Sequence, residues 1–583
     1  MMNADEMTGY PSIDKPWLKY YSKEFINKPL KKCTVYQNVY TSNSEHMSDI
    51  ALIYFNNKIS YRTLFREVDR CAYSLKCMGI QSGDIISLCT AGTPESIYLL
   101  LAANKLGAVC NFVNPFFTEE QLLSRINETH SKALFVLDSF YKQIQPVINK
   151  LNIGKIIIIP ALNSASILIR SLNKLKNNTH IKYSDKLVSW QSFVDKKVKV
   201  EPTTVADYVP NHDAIMVYSS GSTGASKGIV LTNDGINATI QNYDYGYDYL
   251  RGDIFLQMVP VWFSTGIVLS TIMPLQKGVT VILEPRFNVE AFISILRKYH
   301  VALTLVPTSI WVSFITYHLA HKLDLSAMKY PITGGEQILS DTEDEINAFL
   351  KARGCQYPLL KGYGMCELGS TLTTTSRLHS KKNSVGYPIL GKAIVSAFDI
   401  ETNSELKYCE RGEIRAITPA HMKCYFNNEE ATSEFFKEDS KGQIWACTGD
   451  IGYVDEEGYL FILGRSTDSY KSDNGRVIYL FDAEQVILKD KNISLCKVID
   501  TTYKSKKVSA AHIILKSDEN VNEVIKRLYL NCTESLPADE VPQLWKIRKT
   551  MPVHKSGKRD VEALKNECSG YYDSEGNIIE NIR

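Results

Sequence analysis

The sequence lacks a hydrophobic run long enough to cross a membrane, and it lacks an excess of charge of either sign. Its most apolar stretch, residues 99–113, is interrupted by Asn104 and Lys105 and is shorter than the roughly 20 residues that a spanning helix needs. We interpret it as a buried helix and expect no transmembrane segment. The formal net charge is +2 over 583 residues, which provides no basic surface for nucleic acid. We therefore expect small-molecule partners and no nucleic acid.

Paired cysteine motifs and a secretion signal are also missing. The chain has 13 cysteines, but none of them form a C-x-x-C pair, which argues against a zinc ribbon and against a disulfide framework. Residues 1–10 contain no basic start followed by an apolar run, as a secretory signal would. We expect a cytoplasmic protein. The chain is longer than one hydrophobic core usually organises, so we expect at least two domains.

What is present is an alternation of helical and strand patterns. Leu64, Val68, Ala72 and Leu75 recur at helical spacing, and Gly79 follows them as a helix stop. The further predicted elements are a helix over 94–106 and strands over 84–88, 133–137, 156–159, 214–218, 254–259, 279–283, 302–306 and 357–360. Such alternation predicts an α/β fold with a parallel sheet, which binds ligands at the carboxyl ends of its strands. Between these elements, the lysine- and asparagine-rich residues 161–202 are interpreted as a surface excursion.

A loop rich in hydroxyls and glycines follows the strand predicted over 214–218. It reads Ser-Ser-Gly-Ser-Thr-Gly-Ala-Ser-Lys-Gly over residues 219–228. Its backbone N–H groups, its hydroxyls and the ammonium group of Lys227 are donors that suit phosphate oxygens. A flexible Gly/Ser linker is the alternative. The P-loop of nucleotide triphosphatases is excluded, because Ser226 stands at its second glycine and Gly228 at its final Ser or Thr.

This loop resembles the phosphate loop of the AMP-forming adenylating enzymes, which include acyl-CoA and aryl-CoA synthetases, the adenylation domains of peptide synthetases, and luciferases. Residues 223–228 match the family pattern T-G-x-P-K-G except that Ser226 replaces the proline. The resemblance implies that the loop holds the nucleotide phosphates. The residues so assigned are Ser219, Ser220, Gly221, Ser222, Thr223, Gly224 and Lys227.

Residues 260–266, Pro-Val-Trp-Phe-Ser-Thr-Gly, resemble the segment that lines the acyl pocket in this family. Phe263 stands where acyl-CoA and aryl-CoA ligases have histidine and where many amino-acid-activating relatives have aspartate. A phenyl ring cannot pair with an ammonium group, which disfavours an α-amino acid as substrate. The resemblance assigns the pocket to Trp262, Phe263 and Gly266, together with Gly362 from a later motif.

Two glycine motifs resemble the family's adenine site. They are Thr333-Gly334-Gly335-Glu336 and Gly362-Tyr363-Gly364-Met365-Cys366-Glu367, the second matching Y-G-x-T-E with Cys366 in place of threonine. The resemblance implies that Tyr363 stacks on adenine and that Glu367 acts in catalysis by helping to hold Mg²⁺, which prefers carboxylate and phosphate oxygens. It assigns to the nucleotide site Gly334, Gly335, Glu336, Tyr363, Gly364 and Cys366.

The remaining motifs imply a hinge and a catalytic lysine. Residues 448–450 match the family's T-G-D, whose aspartate, here Asp450, accepts hydrogen bonds from the ribose hydroxyls. Arg465, Asp468 and Lys471 fit G-R-x-x-D-x-x-K, and the resemblance assigns Arg465 together with Asp450 to the nucleotide site and the hinge to Asp468. Residues 551–558 resemble L-P-R-T-P-S-G-K and put Lys558 at the catalytic position.

The implied architecture is α/β, with a large N-terminal domain over residues 1–465 that comprises α/β subdomains and a small β-rich subdomain. A smaller, mobile α+β domain over 466–583 would follow the hinge. The implied function is ATP- and Mg²⁺-dependent activation of a carboxylic acid to an acyl-adenylate, followed by transfer to a thiol, most simply that of CoA. Two alternatives stay open: loading of a phosphopantetheine carrier protein, and a nucleotide-binding relative that has lost catalysis.

Overall fold

A computed structural model of the chain describes residues 7–176, 181–195, 199, 201–219, 226–389, 392–472, 476–552 and 560–582, with the side chains of 173–176 left out. Its contacts divide the chain into two compact units. The first comprises Met1–Ser396, Arg415–Cys447 and Val454–Phe461, and the second comprises Ala397–Ile414, Thr448–Tyr453 and Ile462–Arg583. The predicted α/β fold, with a large N-terminal and a smaller C-terminal part, is confirmed. The boundary at 465/466 and the hinge at Asp468 stay predictions.

One sheet of the first unit carries the candidate phosphate loop. In spatial order its strands are Cys424–Tyr425, Gly228–Thr232, Asp213–Tyr218, Val109–Phe112, Ile85–Cys89, Ala133–Leu137, Lys155–Ile159 and Leu187–Ser189. The pairs from Asp213–Tyr218 onward are parallel, whereas Gly228–Thr232 runs antiparallel to Asp213–Tyr218. The loop therefore lies at the carboxyl end of a strand in a largely parallel sheet, which is where such sheets bind ligands.

A second sheet of the first unit carries the two glycine motifs. In spatial order its strands are Tyr387–Pro388, Thr373–Thr374, Leu360–Tyr363, Tyr330–Gly334, Leu303–Leu305, Ile254–Gln257, Thr280–Leu283, Ile50–Tyr54 and Asn57–Ser60. Its central pairs are parallel, and antiparallel strands flank them at both edges. The carboxyl ends of Tyr330–Gly334 and Leu360–Tyr363 bring both motifs to one edge of this sheet.

Several helices of the first unit begin at a residue whose side chain caps the helix. The side chain of Thr93 accepts a hydrogen bond from the Ser96 N–H, and Pro94 follows it at the first helical position. The α-helices of the first unit are Pro11–Asp14, Lys23–Asn27, Val35–Asn43, Tyr61–Cys77, Pro94–Lys105, Glu119–Asn127, Tyr141–Ile144, Ile167–Lys176, Trp190–Phe193, Asn233–Gln241, Met273–Gln276, Val289–Lys298, Thr308–Thr316, Ser340–Ala352 and Glu429–Phe435. Its 3₁₀ turns are Pro16–Tyr20, Asp138–Phe140, Ile148–Lys150, Asn242–Asp244, Ala320–Lys322 and Cys366–Leu368.

Three predicted elements need correction. The apolar stretch 99–113 is not one helix, because Gly107 adopts a positive φ of 76° and the chain turns there into the strand Val109–Phe112. Residues 161–202 contain the helix Ile167–Lys176 and an edge strand, so they are more regular than a surface excursion. The strand predicted over 357–360 instead spans Leu360–Tyr363.

Five further strands lie in the described part of residues 394–465, which contains segments of both units. They are Ile394–Phe398, Gly412–Ile417, Phe436–Glu438, Ile444–Val454 and Leu460–Arg465. The second unit then continues with the hairpin Ser469–Lys471 and Val477–Tyr479, the sheet Ile493–Tyr503, Lys506–Leu515, Leu544–Arg548, Tyr571–Tyr572 and Ile578–Ile579, and the helices Leu480–Ile487, Val521–Ser535 and Val561–Lys565.

A buried histidine links strands of the second unit. Nδ1 of His512 lies 3.1 Å from the Arg548 guanidinium and Nε2 lies 3.2 Å from the Tyr571 hydroxyl. A guanidinium can only donate, so Nδ1 is the bare acceptor and Nε2 carries the proton. Burial, followed by the charge of Arg548, lowers the pKa of His512 to about 3. Glu567 accepts from Arg548, which lowers the pKa of Glu567 to about 2.

We predict that acid destabilises this unit through His512. Below the pKa of the unfolded histidine, 6.5, this residue binds a proton in the unfolded state but not in the folded state. The stability therefore falls as the pH is lowered. Between about pH 7.5 and about pH 5 the free energy of unfolding should drop by about 2 kcal/mol from this residue alone. Glu567 does not contribute to this pH dependence, because the stability that its lowered pKa provides is lost only when the pH falls below about its unfolded value of 4.5.

The measurement is urea unfolding of the full chain at both pH values. His512→Gln keeps an acceptor toward Arg548 and a donor toward Tyr571 but does not titrate. Between the two pH values, the free energy of unfolding of the variant should therefore change by about 2 kcal/mol less than that of the unsubstituted protein. An equal pH dependence in both proteins would contradict the assignment.

Candidate functional site

The ends of the candidate phosphate loop are joined by three hydrogen bonds. The Ser219 N–H donates to the Lys227 carbonyl oxygen at 3.0 Å, and the Lys227 N–H donates to the Ser219 hydroxyl at 2.9 Å. The Ser226 hydroxyl donates to the Ser219 carbonyl oxygen at 2.7 Å. The two strands are therefore joined at a narrow neck formed by Ser219, Ser226 and Lys227. The predicted residues Ser220, Gly221, Ser222, Thr223 and Gly224 lie outside the described residues.

Lys227 and Glu367 meet at a tyrosine that the sequence analysis missed. The Tyr425 hydroxyl donates to Oε1 of Glu367 at 2.9 Å, and Nζ of Lys227 lies 5.0 Å from the centre of the Tyr425 ring. Burial, followed by the negative charge of Glu367, raises the pKa of Tyr425 well above its ordinary value. The hydroxyl therefore stays protonated and keeps donating to the carboxylate.

The backbone fixes Glu367 as well. The Met422 N–H donates to the Glu367 carbonyl oxygen at 2.7 Å, three residues before Tyr425. Glu367 lies in the 3₁₀ turn Cys366–Leu368, so this turn is held against the segment that supplies Tyr425. No local pattern points to Tyr425, because its partner is 58 residues away in the chain.

The two glycine motifs lie side by side. Gly334 and Gly362 face each other across the parallel strands Tyr330–Gly334 and Leu360–Tyr363. A Cβ on Gly334 would lie 2.9 Å from the Gly362 carbonyl oxygen, so only a hydrogen fits there comfortably. Gly335 adopts a φ of 78°, which turns the chain sharply at the end of its strand.

Glu336 faces the start of a neighbouring helix. Its carboxylate accepts from the Ser309 N–H at 2.8 Å and from the Ser309 hydroxyl at 3.0 Å. Ser309 lies in the first turn of the helix Thr308–Thr316, where N–H groups lack intrahelical partners. A negative charge at this end is favourable. Glu336 thus ties the first glycine motif to this helix.

The second glycine motif has no room for a side chain at its centre. A methyl group on Gly364 would overlap the Ser370 carbonyl oxygen. The Leu372 N–H donates to the Tyr363 carbonyl oxygen at 2.8 Å. Residues 363 and 364 are therefore fixed against the returning chain.

The candidate acyl pocket residues belong to an aromatic cluster. The Trp262 ring centre lies 6.4 Å from that of Phe263 and 5.9 Å from that of Phe116, and Phe116 lies 5.8 Å from Phe140. Phe116 and Phe140 did not figure in the sequence prediction. Phe116 contacts Trp262 directly and Phe140 only through Phe116, and their distance from Trp262 in the chain gives no local pattern from which to predict these contacts.

Gly266 lies where the chain folds back on itself. A methyl group there would overlap the Pro260 carbonyl oxygen. Gly266 belongs to the π-helix Thr265–Ile272, and its carbonyl oxygen accepts from the Thr271 hydroxyl at 2.8 Å and from the Gln257 amide at 3.2 Å. Widened turns of this kind are frequent at functional sites.

In the second unit, Asp450 is buried and bonded to Arg465. Nε of Arg465 lies 2.8 Å from Oδ1 of Asp450, and its guanidinium also donates to the Thr448 carbonyl oxygen at 3.2 Å. Gly449, between them in the chain, has a φ of 70°. The turn T-G-D therefore presents Asp450 with its carboxylate already oriented by Arg465.

The hinge candidate Asp468 is part of a charged cluster in the same unit. Nζ of Lys497 lies 2.7 Å from Oδ2 of Asp468 and 3.0 Å from Oε1 of Glu484. Although burial lowers the pKa of Lys497, the charges of Glu484 and Asp468 together raise it. Lys497 is therefore a cation that holds the predicted hinge carboxylate. The catalytic candidate Lys558 lies outside the described residues.

Within the described ranges, no group of three or more His, Cys, Asp and Glu side chains forms a ready metal site. A lone carboxylate such as Glu367 still suits Mg²⁺, which proteins commonly bind through one or two carboxylates together with substrate phosphates. The donor set fits that mode of binding.

The chain is similar in sequence to known proteins. A family model described as AMP-binding enzyme matches residues 39–426. The chain is 26% identical over 462 residues to a probable 4-coumarate–CoA ligase 3 from Dictyostelium discoideum, covering 78% of this chain and 81% of the relative. It is 25% identical over 559 residues to a long-chain-fatty-acid–CoA ligase from Bacillus subtilis, covering 93% and 96%.

Solved structures share the fold. ATP-bound MatB from Rhodopseudomonas palustris superposes with a TM-score of 0.77 at 20% identity, covering 92% of this chain and 98% of that one. The anthranilate CoA ligase AuaEII in complex with anthranoyl-AMP gives a TM-score of 0.76 at 18% identity, covering 91% and 96%. The α/β architecture predicted from the sequence is thus also that of adenylate-forming enzymes.

We predict that Gly364→Ala destabilises the first unit by about 2 kcal/mol or more, because the new methyl group must displace backbone. The matched control is Gly362→Ala, where a Cβ would lie 3.7 Å from the nearest atom, the Thr373 carbonyl oxygen. The control should cost about 1 kcal/mol or less. Urea unfolding of both variants measures the difference, and equal losses would show that the backbone contact at Gly364 is not limiting.

Proposed function

The chain belongs to the family of AMP-binding enzymes, and from that premise we propose that it is an AMP-forming acid–thiol ligase, most simply an acyl-CoA synthetase. The observation that carries the proposal is the contact of Lys227 and Glu367 through Tyr425, which brings a cation and a carboxylate together beside the phosphate-loop neck. Relatives that cover most of this chain bear the names of CoA ligases, which supports CoA as the acceptor over a carrier protein.

In the first proposed step, a carboxylate oxygen of the acid attacks the α-phosphorus of ATP. A P–O bond forms, the α–β phosphoanhydride breaks, and pyrophosphate leaves with its electron pair. The two reactants are both anions, so the site must offset their charge and align them. We assign that task to Lys227 and to the loop donors above the neck, with Lys558 bridging the carboxylate and the α-phosphate as the family pattern implies.

Glu367 is the residue that would hold Mg²⁺. When bound, the ion would offset phosphate charge and favour the departure of pyrophosphate. Tyr425 would orient the carboxylate through its 2.9 Å hydrogen bond, so that the oxygen facing the phosphates is preset rather than selected from many rotamers.

The remaining nucleotide contacts follow the family pattern. Tyr363 would stack on adenine at the edge where both glycine motifs end, and Asp450 would accept hydrogen bonds from the ribose hydroxyls. Arg465 then acts as a positioning residue, because its contact with Asp450 fixes that carboxylate. These roles are proposals that rest on the motif match.

In the second proposed step, the CoA sulfur attacks the acyl carbon of the mixed anhydride. A C–S bond forms, the acyl C–O bond breaks, and AMP leaves. The aromatic cluster of Trp262, Phe263 and Phe116 favours acids with an apolar or aryl tail, since it offers ring surface.

We propose that both steps occur in the cytoplasm.

A screen of pyrophosphate release with ATP, CoA and fatty, aryl, dicarboxylic and amino acids tests the function. We expect release with apolar or aryl acids and formation of the corresponding thioester. ATP binding without release for any acid would point instead to a relative that has lost catalysis. Thioester formed on a carrier protein but not on CoA would move the acceptor assignment to the carrier.

Replacing Lys558 separates the two steps. Lys558→Ala should lower acid-dependent pyrophosphate exchange by about a hundredfold or more, because the α-phosphate loses its bridging cation. Thioester formation from supplied acyl-adenylate should persist. The control is Lys555→Ala in the same motif, which should leave exchange nearly unchanged. Unchanged exchange in Lys558→Ala would remove its assigned role.

Removing one hydroxyl tests the Glu367 assignment. Tyr425→Phe keeps the ring beside Lys227 but leaves Glu367 without that donor. We expect the Mg²⁺ concentration for half-maximal pyrophosphate release to rise about tenfold, the loss expected for a hydrogen bond to a charged group. Electron paramagnetic resonance of Mn²⁺ with a non-hydrolysable ATP analogue should report the same weakening independently of turnover.

The control for that experiment is Tyr61→Phe. Its buried hydroxyl donates to the Leu275 carbonyl oxygen at 2.7 Å, so it loses a comparable bond far along the chain from Glu367. The control should lower stability without moving the metal requirement. Parallel shifts in both variants would mean that Tyr425 acts only on stability.

A further inference from the structure

The helix Ile167–Lys176 turns its apolar face toward solvent. Ile167, Leu168 and Leu172 are 73%, 77% and 62% exposed. Leu168 and Leu172 are four residues apart, so they lie on one face of the helix, one turn from each other. An amphipathic helix of a globular protein normally buries that face. A row of exposed aliphatic side chains on one helix is therefore a feature that needs a partner.

The start of this helix is firmly attached to the first unit. The buried carboxylate of Glu95 accepts from the Asn163 amide at 2.7 Å and from the Ser164 hydroxyl at 2.5 Å. The Ser166 N–H donates to the Phe55 carbonyl oxygen at 3.2 Å. These bonds fix the chain immediately before the helix. The orientation of Leu168 and Leu172 is thus set by buried contacts.

The surrounding chain is basic. Residues 161–186 contain the five cations Arg170, Lys174, Lys176, Lys182 and Lys186 and one acidic residue, Asp185, although the whole chain is nearly neutral. Arg170 is exposed on the same helix as the aliphatic residues. Apolar side chains flanked by cations are the pattern of helices that lie in the interface of an anionic membrane.

We propose that the helix Ile167–Lys176 docks this enzyme on the surface of a membrane that contains anionic lipid. The aliphatic face would enter the boundary between head groups and acyl chains, and the cations would meet lipid phosphates. In the described part of the chain, no helix has both the length and the hydropathy to traverse a bilayer. The attachment is therefore peripheral.

Charge decides between a membrane and a second copy of the chain. Two copies meeting through this face would bring two segments with an excess of cations together, which disfavours the pairing. An anionic bilayer supplies the opposite charge over a continuous surface. The inference is independent of the reaction proposed above, since binding to lipid can be measured without ATP or acid.

The test is flotation of the full chain with vesicles. We expect binding to mixed phosphatidylcholine and phosphatidylglycerol vesicles, weak binding to phosphatidylcholine alone, and loss of binding at high salt. The double variant Leu168→Gln and Leu172→Gln should lower the partition coefficient about tenfold. The control is Leu378→Gln, which removes an aliphatic side chain that is 86% exposed elsewhere in the first unit.

Equal binding to both vesicle types, or unchanged binding of the double variant, would overturn the proposal. So would a concentration-dependent dimer that the double variant abolishes, because the face would then be an interface between copies. Circular dichroism of the variants checks folding, which changes at exposed positions should leave intact. Pyrophosphate release by the same samples separates a failure of docking from a failure of the proposed reaction.

Discussion

Close approach of backbone to backbone is the constraint on which the candidate site depends. At Gly266 the chain folds back on the Pro260 carbonyl, and at Gly364 it passes the Ser370 carbonyl, with no space for a methyl group in either place. Gly334 faces a similar restriction across its sheet. These contacts hold strand ends of the second sheet and a π-helix in fixed positions, so the side chains on these segments have defined locations. The glycines of the motifs are therefore structural conditions for the neighbouring polar residues to act.

The second condition is electrostatic. A buried carboxylate such as Glu367 is costly unless hydrogen bonds satisfy it, and the Tyr425 hydroxyl supplies one without adding a positive charge. Lys227 meets the face of the same ring instead of the carboxylate oxygen that Tyr425 occupies. A tight Lys–Glu pair would cancel much of the charge that a polyanionic ligand requires. Bridging the two through an aromatic ring keeps the cation and the carboxylate close without pairing them directly, as the proposed contacts with phosphate and metal require.

The sequence predicts those parts of the fold that local chemistry decides. The helix Pro94–Lys105 follows from a capping threonine and a proline at its first position, and the strand Ala133–Leu137 follows from its apolar run. The stretch 99–113 was predicted wrongly because a positive φ at Gly107 marks a turn, which the average hydrophobicity of the stretch does not reveal. Tyr425 was missed for a different reason, since its importance comes from Glu367, which lies in a 3₁₀ turn 58 residues away in the chain. Long-range pairings of this kind leave no periodic signal in the chain.

The contacts of the residues that depart from the family pattern bear on whether the proposed reaction can occur. Where relatives have proline, Ser226 donates a hydrogen bond to the Ser219 carbonyl at 2.7 Å, so the loop neck is closed by a bond in place of a rigid ring. Phe263 stands where the family pattern has a polar residue, and its ring lies beside that of Trp262, so this departure concerns the proposed acyl pocket and not the phosphate loop. Neither substitution removes a charge that the reaction needs. Lys227 and Glu367, which the proposed reaction needs, are both present and both contact Tyr425, and this favours the proposed ligase over a relative that has lost catalysis.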